Sequence, residues 1–134
     1  MASQAVSLPP GYHSINPYFV VADAAAFIAF IVTVFGGTEQ GEREIRADGG
    51  IGHASVLVGD SLIMISQADE KYPARPAVSF AYVDDVDSTY ARALAAGSRS
   101  ILAPADQLWG DRVGGVVDRF ENRWWIATRL GKSS

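Results

Sequence analysis

The segment 23–37 constrains this chain most. It reads Asp-Ala-Ala-Ala-Phe-Ile-Ala-Phe-Ile-Val-Thr-Val-Phe-Gly-Gly. Asp23 is a good N-cap and Gly36-Gly37 a good C-terminal stop, so a helix of about three turns is expected. Residues 24–35 between the caps carry no charge, and Thr33 is their one polar side chain. A helix on the surface of a small domain buries one stripe and gives water the other. This one has no charged face to give. It is also well short of the roughly 20 residues that span a bilayer. It must be packed on most sides, by its own domain or by another chain.

A second segment, 85–97, carries the same kind of caps, Asp85 and Gly97, 62 positions after Asp23 in the case of Asp85. Here Asp87, Ser88 and Arg92 make a wet face and Val86, Tyr90, Ala93 and Leu94 a dry one, an ordinary amphipathic helix. A β-like run precedes each helix, residues 18–21 and 80–83. The same offset relates Val21 to Val83, Gly52 to Gly114, and the turn Gly59-Asp60 to Glu121-Asn122. One module written twice explains this better than two unrelated halves.

Strands are expected over 14–21, 38–46, 51–58 and 61–66 around the first helix, and over 78–83, 98–102, 113–117 and 123–130 around the second. Asp48-Gly49-Gly50 is a hairpin signal and Gly59-Asp60 a tight turn. Residues 103–112, with Pro104, Trp109 and Gly110, are expected to be a loop. The fold class is α+β, a single domain of two βαβββ modules: a leader 1–11, a first module 12–67, a linker 68–76, a second module 77–130 and a tail 131–134.

A length of 134 residues fits one domain, and 49% hydrophobic with 19% charged residues makes it globular. A net charge of −4 without a basic patch argues against nucleic acid and anionic membranes. The absence of cysteine removes disulfides, thiolate metal sites and cysteine nucleophiles. The first residues lack a basic region and a long apolar run, so a cytoplasmic location is expected.

Several strings, in this order, resemble the vicinal oxygen chelate superfamily of glyoxalases, bleomycin-resistance proteins and extradiol dioxygenases. They are Asn16-Pro17-Tyr18-Phe19-Val20-Val21, Val34-Phe35-Gly36-Gly37, Ile51-Gly52-His53-Ala54, Tyr82-Val83-Asp84-Asp85, Trp109-Gly110-Asp111-Arg112, and Asn122-Arg123-Trp124-Trp125-Ile126-Ala127-Thr128. The likeness covers about residues 12–130 and implies two curved four-stranded sheets around a cleft. In the family's metalloenzymes, His and Glu side chains on the first and fourth strands of each module hold a divalent ion. Those positions map here to Asn16 and Val78 on the first strands and Ile63 and Trp125 on the fourth. None is a His or a carboxylate, so the resemblance implies no metal, no cofactor and no glyoxalase or dioxygenase chemistry.

Trp124 and Trp125 are neighbours on a strand and point to opposite faces. By the mapping, Trp125 enters the cleft, and Trp109 caps it from a loop. An aromatic wall of this kind suits a flat ligand; the plainer reading is that Trp125 fills the cleft as core. His53 is a possible general base, or simply a hydrogen-bonded sheet histidine. Tyr18, Tyr82 and Met64 are candidates for the rim, and Asp111-Arg112 for an ion pair that shapes the loop. Glu121 stands where relatives carry glycine in a turn, which predicts strain there.

Three functions follow as expectations. The first is a metal-free small-molecule binder with a ligand site of Trp125, Trp109, Asn16, Ile63, Val78 and His53, working as a homodimer. The second is an assembly role, with Ala25, Ile28, Ala29, Ile31, Val32 and Phe35 forming an interface, natural or engineered, to a larger oligomer or another chain. The third is an enzyme that uses His53 or a metal site elsewhere.

Overall fold

The computed structural model describes residues 7–131. The ends of the expected leader and tail, 1–6 and 132–134, lie outside the described residues. The elements are β1 (Tyr18–Val21), α1 (Ala24–Phe35), β2 (Thr38–Ile45), β3 (Ile51–Val58), β4 (Ser61–Gln67), β5 (Val78–Tyr82), α2 (Val86–Ala95), β6 (Arg99–Asp106), β7 (Asp111–Val117) and β8 (Arg123–Arg129). They form two four-stranded sheets, β1-β4-β3-β2 and β5-β8-β7-β6. In each, the first strand runs parallel to the fourth and the other pairs are antiparallel. The fold is α+β, two βαβββ modules in tandem.

Two boundaries differ from expectation. β1 starts at Tyr18, because the Asn16 side chain closes a turn onto His13: it accepts from the His13 N–H at 2.9 Å and donates to the His13 carbonyl at 2.7 Å. The expected loop 103–112 is mostly strand. β6 runs through Pro104 to Asp106, and a tight turn, with Gln107 N–H on the Asp111 carbonyl at 2.7 Å, leads straight into β7. Pro104 is tolerated because β6 is an edge strand with β7 alone beside it.

Helix α1 starts as its caps dictate. Asp23 accepts from Ala26 N–H at 3.0 Å, and Gly36 takes the left-handed conformation at φ 69°. Phe27, Ile31 and Val34 are fully buried, and Ile28 and Phe30 nearly so. This corrects the interface assignment: Ile28 and Ile31 are core. Solvent meets only a stripe of Ala25, Ala29, Val32 and Thr33, while Phe35 is half-buried with its ring 4.8 Å from that of Trp124. The helix needs no charge of its own at its C-terminus. Arg92 of α2 donates from Nε and Nη2 to the Val34 carbonyl, at 3.1 and 3.0 Å, placing a cation at the negative end of the dipole. On α2 the dry face is Val86, Thr89 and Ala93, and Leu94 is exposed.

Both modules share one core. Phe19 of β1 stacks on Trp124 of β8 with centroids 5.4 Å apart and planes at 16°. Phe27 and Phe30 of α1 meet the Phe120 ring edge-on at 5.3 and 6.3 Å. Each sheet thus has a helix side in the core and an open face turned away from it.

Candidate functional site

The open face of the second sheet is aromatic. Strand alternation points Val78, Phe80 and Tyr82 of β5 to that face, where they are 69%, 48% and 61% exposed. Phe80 lies opposite Trp125 of β8, and Gly115 of β7 lies opposite Trp125 on the other side. A Cβ on Gly115 would sit 2.5 Å from the Trp125 ring, so glycine is what lets that ring lie across β7. Trp124, one residue earlier, faces the core, and its Nε1–H donates to Asp118 Oδ2 at 2.9 Å.

Asp111 organises the far end of this face. It begins β7 opposite Arg129 and has no exposed surface. Its Oδ2 accepts from the Tyr82 hydroxyl and from Trp109 Nε1–H, both at 2.8 Å. Its Oδ1 is buried without a hydrogen-bond partner, and Arg129 Nη1 stands 3.6 Å from it. The Tyr82 hydroxyl, helped by Trp109 and Arg129, holds this carboxyl below its ordinary value against the opposing effect of burial. The same bond pushes the Tyr82 phenol up. Asp111 and Arg112 do not pair with each other. Adjacent strand residues point to opposite faces, and Arg112 instead holds Asp87 at 2.9 Å and Asp106 at 3.0 Å. Sequence reasoning had placed Asp111 only in a loop. The tight turn that makes it the first residue of a strand was the missing signal.

The open face of the first sheet is closed by hydroxyl pairs. Tyr12 and Ser55 share a hydrogen bond of 2.8 Å, and Tyr18 and Ser66 one of 3.0 Å. His53 is half-buried opposite Glu44, in a depression of about 180 Å³ that Glu42 and Ser55 also line. Asn16 spends its amide on the His13 backbone. Ile63 is a correction. It lies opposite Val56 on the helix side and belongs to the core. Met64 takes the expected place: Tyr18 lies opposite Met64 as Phe80 lies opposite Trp125, so the fourth strands are offset by 61 positions, not 62. Ala54 likewise, and not Gly52, corresponds to Gly114, since their partners are Ile65 and Ile126.

The metal of the family's enzymes does not fit these residues. The four positions are Asn16, Val78, Met64 and Trp125, and none supplies an imidazole or carboxylate. Among the described residues no three His, Cys, Asp or Glu side chains gather to hold an ion.

A groove of about 620 Å³ lies at the seam of the modules, and Phe80 and Tyr82 of β5 stand on its wall as well. Phe19, Phe35, Ile63 and Trp124 line it, with Asp84 and Asp85 also on its wall. Of the expected ligand residues only Ile63 reaches it. Trp125, Val78 and Trp109 belong to the open face, and His53 to the first sheet.

Comparison with known proteins places this architecture. The family model described as Glyoxalase/Bleomycin resistance protein/Dioxygenase superfamily matches residues 12–126. An uncharacterized protein of Mycobacterium tuberculosis H37Rv is 33% identical over 133 residues, covering 91% of this chain and 76% of that protein. One from Mycobacterium bovis is 34% identical over 122 residues, covering 83% and 80%. Among solved structures, TioX from Micromonospora sp. ML1 superposes with a TM-score of 0.70 at 25% identity, covering 87% of this chain and all of that one (100%). The fosfomycin resistance protein FosX from Mesorhizobium loti shares the fold, with a TM-score of 0.63 at 17% identity over 87% of this chain and 91% of that one.

Proposed function

This chain belongs to the glyoxalase/bleomycin resistance protein/dioxygenase superfamily, and we propose that within it the protein is a metal-free binder of a small planar molecule. The observation that carries this reading is the open face of the second sheet. Phe80, Tyr82 and Trp109 are each about half exposed there, beside the Trp125 ring that lies over Gly115. Large rings left on a surface, with few charged groups among them, are what a flat aromatic ligand stacks on. The positions that would otherwise hold a catalytic ion carry Asn16, Val78, Met64 and Trp125.

Titrating the protein with a panel of planar drugs while following tryptophan fluorescence tests it. Quenching is expected in the wild type and should disappear in Trp125→Ala. A panel that leaves the emission unchanged would refute the reading. Quenching that survives the loss of both Trp125 and Trp109 would move the site to the seam groove, beside Trp124.

The same surface supports a homodimer. Val78, Phe80 and Tyr82 of β5 share that face and are 48–69% exposed in the single chain, and neighbouring apolar groups left uncovered mark an interaction surface. Light scattering is expected to give twice the 14.3 kDa of one chain; the mass of one chain would exclude pairing. Assembly through α1 would rest on Ala25, Ala29 and Val32 alone, since Ile28 and Ile31 are inside.

A further inference from the structure

The Asp111 carboxylate is built asymmetrically. One oxygen receives two directed hydrogen bonds, from Tyr82 and Trp109, and the other is buried without any. A buried charged oxygen left unmatched is costly, and a fold that needed only an anchor for Trp109 would match both or use a neutral acceptor. Among the described residues the one cation in reach is Arg129, whose Nη1 at 3.6 Å is at ion-pair distance but too far to hydrogen-bond. The Arg129 side chain is 53% exposed, so it swings away from Asp111 at little cost. Around this charge stand three rings with accessible faces, Phe80, Tyr82 and Trp109. The first two are tilted at 51° with centroids 5.3 Å apart. Aromatic faces beside a fixed carboxylate attract a cation twice, through the ring quadrupoles and through the charge. The remaining basic groups of this face do not oppose that. Arg99 is paired with Glu121 at 3.3 Å, and Arg123 lies opposite Val78, at the other end of β8 from Arg129. A net charge of −4 draws cations to the molecule as a whole.

We propose that the ligand of this face is an organic cation, a planar aromatic bearing a protonated amine or amidine-type group, which displaces the Arg129 guanidinium and bonds to Asp111 Oδ1. Arg129 is then an internal stand-in for the ligand's charge. The inference rests on the reading that a planar ligand stacks here, and it adds the sign of the ligand's charge and the residue that receives it.

Calorimetric titration at low salt and pH 8 with two probes tests it: 9-aminoacridine, a cation there, and acridine, the same three rings without charge. The wild type should bind 9-aminoacridine at least about tenfold more tightly. Asp111→Asn should bring the two within about twofold of each other and leave acridine unchanged. Arg129→Ala removes an exposed side chain and keeps the fold; it should tighten 9-aminoacridine by about threefold or more and not acridine. It decides the matter if Asp111→Asn does not fold. Equal affinities in the wild type, or a preference that neither variant alters, overturn the cation and leave the planar ligand standing. Binding of neither probe overturns the planar ligand itself.

Discussion

The two modules have the same strands in the same order, yet their open faces share almost nothing. Where the first sheet has Tyr18, Met64 and Ser55, the second has Phe80, Trp125 and Gly115 at the matching places. In the first, tyrosine hydroxyls reach down to Ser55 and Ser66 and finish the surface with hydrogen bonds. In the second, a missing side chain at Gly115 makes room for an indole, and the one polar anchor is a buried carboxylate. The helices invert this difference. α1 of the first module shows water only Ala25, Ala29, Val32 and Thr33, none of them charged, while α2 of the second shows Asp87 and Arg92. The helix sides make one shared core and are held to a common pattern. The open faces answer to nothing inside the chain, so each is free to take its own chemistry.

The sharpest break of that comparison is at α1. Ile31→Lys puts an unpaired ammonium at a fully buried position and is expected to cost at least about 4 kcal/mol, enough to unfold the domain. Val32→Lys, one residue on and 40% exposed, should stay within about 0.5 kcal/mol. Chemical denaturation of the two variants reads the difference, and similar losses would mean that the helix is not packed as described.

The open faces can be interchanged. Gly115→Ser forces a Cβ into the Trp125 ring and should cost about 2 kcal/mol. Adding Trp125→Met recreates the Ser55–Met64 arrangement of the first module. The double variant should then be more stable than the sum of the single effects by about 1 kcal/mol. Strict additivity would show that the two positions do not touch.

The turns before the fourth strands offer a gentler test. Gly59 sits at φ 57° in the first module, and Glu121 holds nearly the same angle, 69°, in the second. Glu121→Gly should stabilise by about 0.5–1 kcal/mol, since its exposed pair with Arg99 contributes little, and Gly59→Ala should cost about 1 kcal/mol. A thermal melt that moves the same way for both would contradict the shared geometry.

The last prediction concerns pH and belongs to the second module alone. The folded Asp111 carboxyl lies below its ordinary value of 3.8. Its contribution to stability is therefore complete above that pH and is lost as pH falls through the lower, folded value. Tyr82→Phe removes the leading cause of the shift. Its stability deficit, measured by denaturant at pH 7, should narrow as the pH is taken below 3.8; a constant gap would show that the hydroxyl does not act through the ionised form.

Much of the architecture was legible in the chain because the signals were local. Asp23 and Asp85 named the helix starts, Gly36 a helix end, and Gly59 a turn, each through a backbone requirement that one residue type meets. The site was legible only in part. Alternation put Trp124 and Trp125 on opposite faces, and which of them left the core came from the mapping that the resemblance implied. It failed at Ile63, because the two modules differ in spacing between helix and fourth strand, and a one-residue slip exchanges the faces of a strand. It failed again at Ile28 and Ile31. A run without charge says that a helix is buried, but not whether its own domain or another chain does the burying.

What the sequence determined by itself, then, was the repeated module and the caps and turns that punctuate it. Those depend on residue type and on neighbours within a few positions. The tertiary structure alone decided that both helices feed one core, that Arg92 of the second module caps the helix of the first, and that Asp111, Tyr82 and Arg129 meet. These partners are 18 to 58 positions apart in the chain, and their meeting follows from strand register and from the packing of one module on the other, which no local signal encodes.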